Sequence, residues 1–152
     1  MLFRSVTAPV AIAEAIDGAL LLLRDRINRL EASVIVNPEL SETIVIAEGV
    51  RLEQVLVNLL QNSLDAGGHG SQIRIDLAMN GTYLEARISD DGPGLSESAR
   101  ATLFQPFSTS KREGLGLGLV ICRDIMADFG GDLIAGTPSR GAEFILRLIC
   151  AA

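Results

Sequence analysis

Residues that build metal centres are scarce in this chain. Its 152 residues include two cysteines and one histidine. Cys122 and Cys150 lie in apolar surroundings without the spacing of metal ligands, so they read as small buried residues of a reduced, cytosolic domain. Positive charge is short too: 13 Lys and Arg stand against 19 Asp and Glu, a net charge of −6. A phosphate backbone selects basic surfaces, so no nucleic-acid partner is expected. The longest apolar run, Ala19–Leu23, is far below the roughly 20 residues needed to span a bilayer, and no signal peptide is evident. Any membrane anchor is therefore expected outside this chain, which itself makes no direct membrane contact. The P-loop pattern GxxxxGK[ST] is absent as well. What is present is 48% apolar and 21% charged, the composition of one globular domain over 1–152 with a full core.

The chain is organised around Arg51–Ala66, RLEQVLVNLLQNSLDA. At about 100° per residue, Leu52, Val55, Leu56, Leu59, Leu60 and Leu64 fill one apolar arc, while Gln54, Asn58, Gln61, Asn62 and Asp65 gather opposite. Asn and Asp are poor helix formers, so their concentration on one face is not explained by helix stability. A solvated polar face is the plain alternative.

Around this helix the patterning is regular. An irregular lead-in covers residues 1–10, with a short strand near Arg4–Thr7, and Val10–Leu30 reads as a helix with Ile16, Leu20, Leu23, Ile27 and Leu30 on one side. Ala32–Val36 and Thr43–Ala47 are β-rich runs separated by Asn37-Pro38. Gly67-Gly68-His69-Gly70 stops the central helix. Ile73, Ile75, Leu77 and Met79 alternate, as do Leu84, Ala86 and Ile88, and Asn80-Gly81 between them predicts a hairpin with φ > 0 at both turn residues. By the period of two, Asp90 points the same way as Ile88, into the core, where a carboxylate without a partner is costly. Residues 91–116, rich in Gly, Ser and Pro with a short helical piece near Glu97–Leu103, have the character of a binding loop or lid. A helix from about Leu115 stacks Leu117, Ile121, Ile125 and Phe129 and ends at Gly130-Gly131. Asp132–Ala135 and Ala142–Ile149 read as strands. The expected fold class is α/β in the α+β sense: a two-layer sandwich whose mixed, largely antiparallel sheet packs on about three helices.

Three pieces share one chemical logic. Gly114, Gly116 and Gly118 open a helix whose N–H groups and positive potential suit phosphate, although helix packing also selects glycine. No strand precedes them, as a dinucleotide-binding fingerprint would require. Asp90-Asp91-Gly92-Pro93-Gly94 places an inward carboxylate before a glycine turn, fit to accept from an exocyclic amine such as adenine's; a turn with a structural Asp is the alternative. Asn58 and Asn62 offer neutral oxygens of the kind that suit magnesium completed by water and phosphate.

In order, NLLQNSLDA, DDGPG, FQPFSTSK and GLGLGL resemble the asparagine, first glycine, phenylalanine and second glycine boxes of the ATP-binding catalytic domain of sensor histidine kinases. That family shares the Bergerat fold with DNA gyrase, a heat-shock chaperone family and mismatch-repair ATPases. The resemblance runs from about Leu52 to Leu148 and includes GAEFILRL; Asp-Ala at the end of the asparagine box and STSK before the glycines resemble the nitrogen-regulation and dicarboxylate-sensor branch. It implies a lid over about 92–116, ATP and Mg2+ as ligands, and phosphoryl transfer to a histidine. Asn62 would ligate magnesium and Asn58 support the phosphates or a metal-bound water. Asp90 would accept from adenine, with Gly92, Gly94 and Leu95 shaping its pocket. Ser108, Thr109, Ser110 and Lys111 would lie in the lid, Lys111 on the γ-phosphate. Gly114, Leu115, Gly116, Leu117 and Gly118 would present backbone to the phosphates, and Phe104 and Phe107 would anchor the lid. Asp65 stands where many relatives carry Lys, which implies a structural or water-mediated role.

Hydrolytic relatives place Glu one turn before the metal-binding Asn. Here that residue is Asn58, which is no general base near neutral pH, so transfer rather than hydrolysis is expected. The acceptor is not in this chain: His69 sits in a glycine-rich turn without a neighbouring acidic residue. The resemblance therefore implies a cytoplasmic piece of a longer, membrane-anchored bacterial sensor, with dimerisation and histidine-phosphotransfer helices upstream and a response regulator downstream. A regulatory ATP-binding module and a serine kinase of the anti-sigma type on the same fold are the competing readings.

Overall fold

The computed structural model describes residues 6–105 and 118–152. The chain opens with strand β1 (Ala8–Ala11) and helix α1 (Ile12–Arg29), followed by β2 (Ser33–Val36), β3 (Ile44–Ala47) and helix α2 (Gly49–Gly67). Hairpin β4 (Gln72–Asn80) and β5 (Tyr83–Asp90), short α3 (Glu97–Ala101), α4 (Gly118–Asp128), β6 (Asp132–Ala135) and β7 (Glu143–Ile149) complete it. The five-stranded sheet has the order β2-β4-β5-β7-β6. Only β2 and β4 run parallel; every other neighbouring pair in that sheet is antiparallel. The expected two-layer α+β sandwich is what forms.

The apolar arc of α2 is the centre of the core: Leu52, Val55, Leu56, Leu59, Leu60 and Leu64 are all buried. It packs between α1 and α4 and over β4 and β5. Facing it, Ile75 pairs with Ile88, Leu77 with Ala86, and Ala86 with Leu146, so one face of the sheet is continuous hydrocarbon. The same register brings Asp90 opposite Ile73, on the core side as the alternation requires.

Several boundaries differ from expectation for identifiable reasons. Arg4 and Ser5 of the strand expected at Arg4–Thr7 lie outside the described residues; a strand forms at Ala8–Ala11, where it pairs with β3, and α1 starts at Ile12 rather than Val10. In the hairpin, Asn80 stays in the ladder opposite Tyr83, its Nδ2 donating to Glu85 Oε2 at 3.3 Å, and the loop is Gly81-Thr82. Only Gly81 has positive φ (63°), the pattern of a type II′ rather than a type I′ turn. On α4 the buried side is Cys122, Ile125, Met126 and, just beyond the helix, Phe129, while Ile121 is 43% exposed. The expected stripe through Ile121 is thus rotated, since α4 must meet both α2 and β6. Cys122 is buried as anticipated, whereas Cys150 is only half-buried, its Sγ 3.9 Å from Met79 Sδ.

Candidate nucleotide site

The end of β5 sets the geometry. Asp90 is 8% exposed, and its Oδ1 accepts from the backbone N–H of Gly92 at 2.9 Å and of Ala142 at 3.2 Å. Its own N–H donates to Ala142 O at 3.0 Å. Oδ2 has no hydrogen-bond partner among the described residues, so the carboxylate is held by one oxygen and offers the other.

Glycines make this cradle possible. Gly92 lies against the end of α2, where an added Cβ would stand 3.5–3.6 Å from the carbonyl of Ala66 and 3.1 Å from Asp90 Oδ1. Gly94 has φ +80°, and a Cβ there would fall 2.8 Å from Gly141 O. Gly141, with φ +72°, is the tightest of these three: its Cβ would meet Asp90 O at 1.9 Å. Only glycine meets both demands there. Sequence reasoning missed Gly141 and Ala142 as the residues that position Asp90. In the sequence Gly141 only precedes the closing strand and Ala142 only begins it, because their role depends on β7 lying beside β5. Asp91 turns away from this cradle and ties the loop to β4, its Oδ1 accepting from Gln72 N at 3.0 Å.

The polar face of α2 supplies the second wall. Asn58 and Asn62 are half-buried along it. Asn58 Nδ2 donates to Cys122 Sγ on α4 at 3.4 Å, which leaves the amide oxygen as the group it can offer. Burial pushes the Cys122 thiol pKa up, and the contact from Asn58 offsets only part of that, so it stays a thiol rather than a nucleophilic thiolate. Asp65, at the far end of the face, pairs with Arg26 of α1, and Arg51 pairs with Asp128 at 3.0 Å.

The segment after the cradle is tethered through residue 105. Ser96 caps α3 by accepting from Ala99 N at 3.1 Å, and Arg100 Nη1 donates to Gly136 O at 2.9 Å. Leu95, Leu103 and Phe104 pack on the core, with Arg123 4.6 Å from the centroid of the Phe104 ring. Phe104, expected to anchor the lid, thus packs on the core. Phe107, Ser108, Thr109, Ser110, Lys111, Gly114, Leu115, Gly116 and Leu117 lie outside the described residues. Gly118 begins α4, and a Cβ added there meets nothing within 4 Å. The structure therefore brings together Asp90, Gly92, Gly94 and the Asn58–Asn62 face, while His69 stands apart, exposed and 3.1 Å from Glu31.

Residues 47–151 match the family described as histidine kinase-, DNA gyrase B- and HSP90-like ATPase. The chain belongs to this family. Among curated relatives it is 40% identical to the C4-dicarboxylate transport sensor protein DctB of Rhizobium meliloti, over 92% of this chain and 23% of DctB. It is 34% identical to DctS of Rhodobacter capsulatus, over 90% and 19%. It thus spans about a fifth of the length of these relatives. Among solved structures, the nucleotide-free catalytic domain of histidine kinase ThkA covers 95% of both chains at TM-score 0.86 and 28% identity. Full-length ShkA in complex with AMPPNP matches all of this chain and 33% of ShkA, at TM-score 0.82 and 26% identity. This family member therefore has the fold of a histidine-kinase catalytic domain, and among its described residues no helix is long and apolar enough to cross a membrane.

Proposed function

We propose that this chain binds Mg-ATP and donates the γ-phosphoryl group to a histidine on a dimerisation domain of a longer sensor kinase. The observation that carries this reading is Asp90: a buried carboxylate fixed through Oδ1, with Oδ2 left to accept from an adenine amino group. Gly92 brings that carboxylate against the end of α2, so adenine bound there would lie at one end of the Asn62–Asn58 face. Discrimination for adenine would come from the acceptor-only carboxylate, which repels the carbonyl that guanine carries at that position.

The donor set fits magnesium. Among the described residues no cluster of three or more His, Cys, Asp or Glu could hold a metal, so the protein would contribute a neutral oxygen, from Asn62, and leave other positions to phosphate and water. Magnesium there would offset phosphate charge. Asn58 cannot take a proton from water, and its amide is tied to Cys122, so the site lacks a base for hydrolysis where hydrolytic relatives carry one. Transfer needs positioning: an imidazole nitrogen attacks the γ-phosphorus, the P–N bond forms as the bond to the ADP oxygen breaks, and ADP leaves. Lys111 would contact the γ-phosphate from the lid.

Support for histidine as acceptor comes from the relatives, named sensor proteins and histidine kinases. A solved structure of ThkA with response regulator protein TrrA, at 26% identity and TM-score 0.82, supports a response regulator as the downstream partner of this chain too. The parent protein would be a membrane-anchored bacterial sensor. Incubating the chain with γ-labelled ATP and the dimerisation domain of its own protein should give acid-labile label on that domain's histidine. ATP bound without any label would reduce the chain to a regulatory module, and acid-stable label would indicate a serine kinase instead.

A further inference from the structure

If the face of α2 is a phosphate wall, it is short of positive charge. Asn58, Asn62 and Asp65 bring none, and the chain has a single lysine, Lys111, so any further cation at the phosphates must be an arginine. Arg26 is placed to be that cation. It stands in the last turn of α1 and pairs through Nη2 with Asp65 Oδ1, and both side chains remain 33% exposed. Helices α1 and α2 run in the same sense here, with Gly18 beside Glu53 and Arg26 beside Asp65. Two helix C-termini therefore converge at this corner, each carrying about half a negative charge, with the Asp65 carboxylate between them. The last turn of α1 carries Arg26 and Arg29 against this negative charge, and of the two Arg26 is the one that pairs with Asp65.

The position along the face identifies the phosphate. Gly92 against Ala66 marks the adenine end, and Asn62, four residues or about 6 Å back along the axis, marks the metal end. Asp65 lies between them, where a nucleotide laid along the helix has its sugar and first phosphate. A guanidinium has five N–H donors in a planar fork, so an arginine bonded to one carboxylate can still donate to a phosphate oxygen. We propose that Arg26, oriented by Asp65, is a nucleotide-binding residue that contacts the phosphate next to the sugar, an inference that rests on the nucleotide reading above.

The test is titration of the full chain with adenosine, AMP, ADP and ATP. Arg26→Ala should weaken AMP, ADP and ATP alike by roughly ten- to a hundredfold, the loss of a charged hydrogen bond, and leave adenosine unchanged. Arg26→Lys should recover part of the loss, and Arg26→Ala with Asp65→Asn should bind better than Arg26→Ala alone, because the uncompensated carboxylate is gone. An exposed ion pair contributes little to folding, so these variants should melt near the unmutated chain. Unchanged ATP affinity would overturn the proposal. So would an equal loss for adenosine, the mark of a structural role, or a loss confined to ATP, the mark of a γ-phosphate contact. If the unmutated chain binds no ATP, the nucleotide reading itself falls and takes this one with it.

Discussion

Asp90 shows how much of a binding site can rest on one side chain's two oxygens. Its Oδ1 is committed to two backbone N–H groups, those of Gly92 and Ala142, and so cannot swing away from the core. Replacing it with Asn should keep an oxygen toward those donors and put an NH2 group where Oδ2 stands. The NH2 would then face the adenine amino group, donor against donor. Asp90→Asn should therefore lower ATP affinity on the order of ten- to a hundredfold, the loss of about 1.5–3 kcal/mol expected for a hydrogen bond to a charged group. Calorimetric titration checks this, and unchanged affinity would remove Asp90 from the adenine site. Asp90 stood out in the sequence because the strand register turned a carboxylate inward. Gly141 did not, because nothing local distinguishes it from a turn glycine. Only the approach of Asp90 O, to within 1.9 Å of where its Cβ would be, reveals the requirement.

At the scale of elements, α2 acts as both core and site. Its apolar arc fills the centre of the sandwich while its polar face is left for a ligand, so destabilising one side also loosens the other. Leu56 is fully buried, and Leu56→Ala should cost about 2–5 kcal/mol. Ile121 offers the contrast. It reads as core by spacing but is 43% exposed, so Ile121→Ala should change stability by no more than about 0.5 kcal/mol. Chemical denaturation of the two variants measures both. A large loss at Ile121 would restore the stripe expected from the periodicity of α4. Of that stripe Ile125 and Phe129 are buried and Ile121 is not, while Leu117 lies outside the described residues; the reason is simple, since Cys122 and Met126 satisfy the helical period with Ile125 and Phe129 just as Ile121 does. Which set turns inward is decided by where α2 and β6 lie.

For the whole molecule, the sheet has one face for the core and one for charge. On the open face Glu85 stands opposite Arg147, with Nε of Arg147 at 3.0 Å, Arg87 at 3.3 Å and Asn80 Nδ2 at 3.3 Å. Burial pushes the Glu85 carboxyl up, but hydrogen bonds from Arg147, Asn80 and Arg87 together outweigh it and hold its pKa below the ordinary 4.5. A carboxylate with a lowered folded-state pKa stabilises the fold fully above its unfolded value, and that stabilisation is lost as pH falls through the folded value. Thermal melts should accordingly show the unmutated chain above Glu85→Gln near neutral pH, with the gap closing below about pH 4.5. A gap that persisted in acid would mean the carboxylate's charge contributes nothing.

The sequence by itself determined the element types, the register that turns Asp90 inward and the polar face of α2. These follow from periods of 3.6 and 2, which a chain expresses locally however the rest is arranged. Four ordered motifs also carried the family, since each combines a backbone requirement with a chemistry. Tertiary structure alone decided the contacts between distant segments: the Ala142 N–H on Asp90, Arg26 on Asp65 and Asn58 on Cys122. It decided the strand at Ala8–Ala11 as well, which exists because β3 is there to pair with it. Pairings across 39, 52 or 64 residues leave no local period, because they depend on how helices and strands stack once the apolar surfaces have closed.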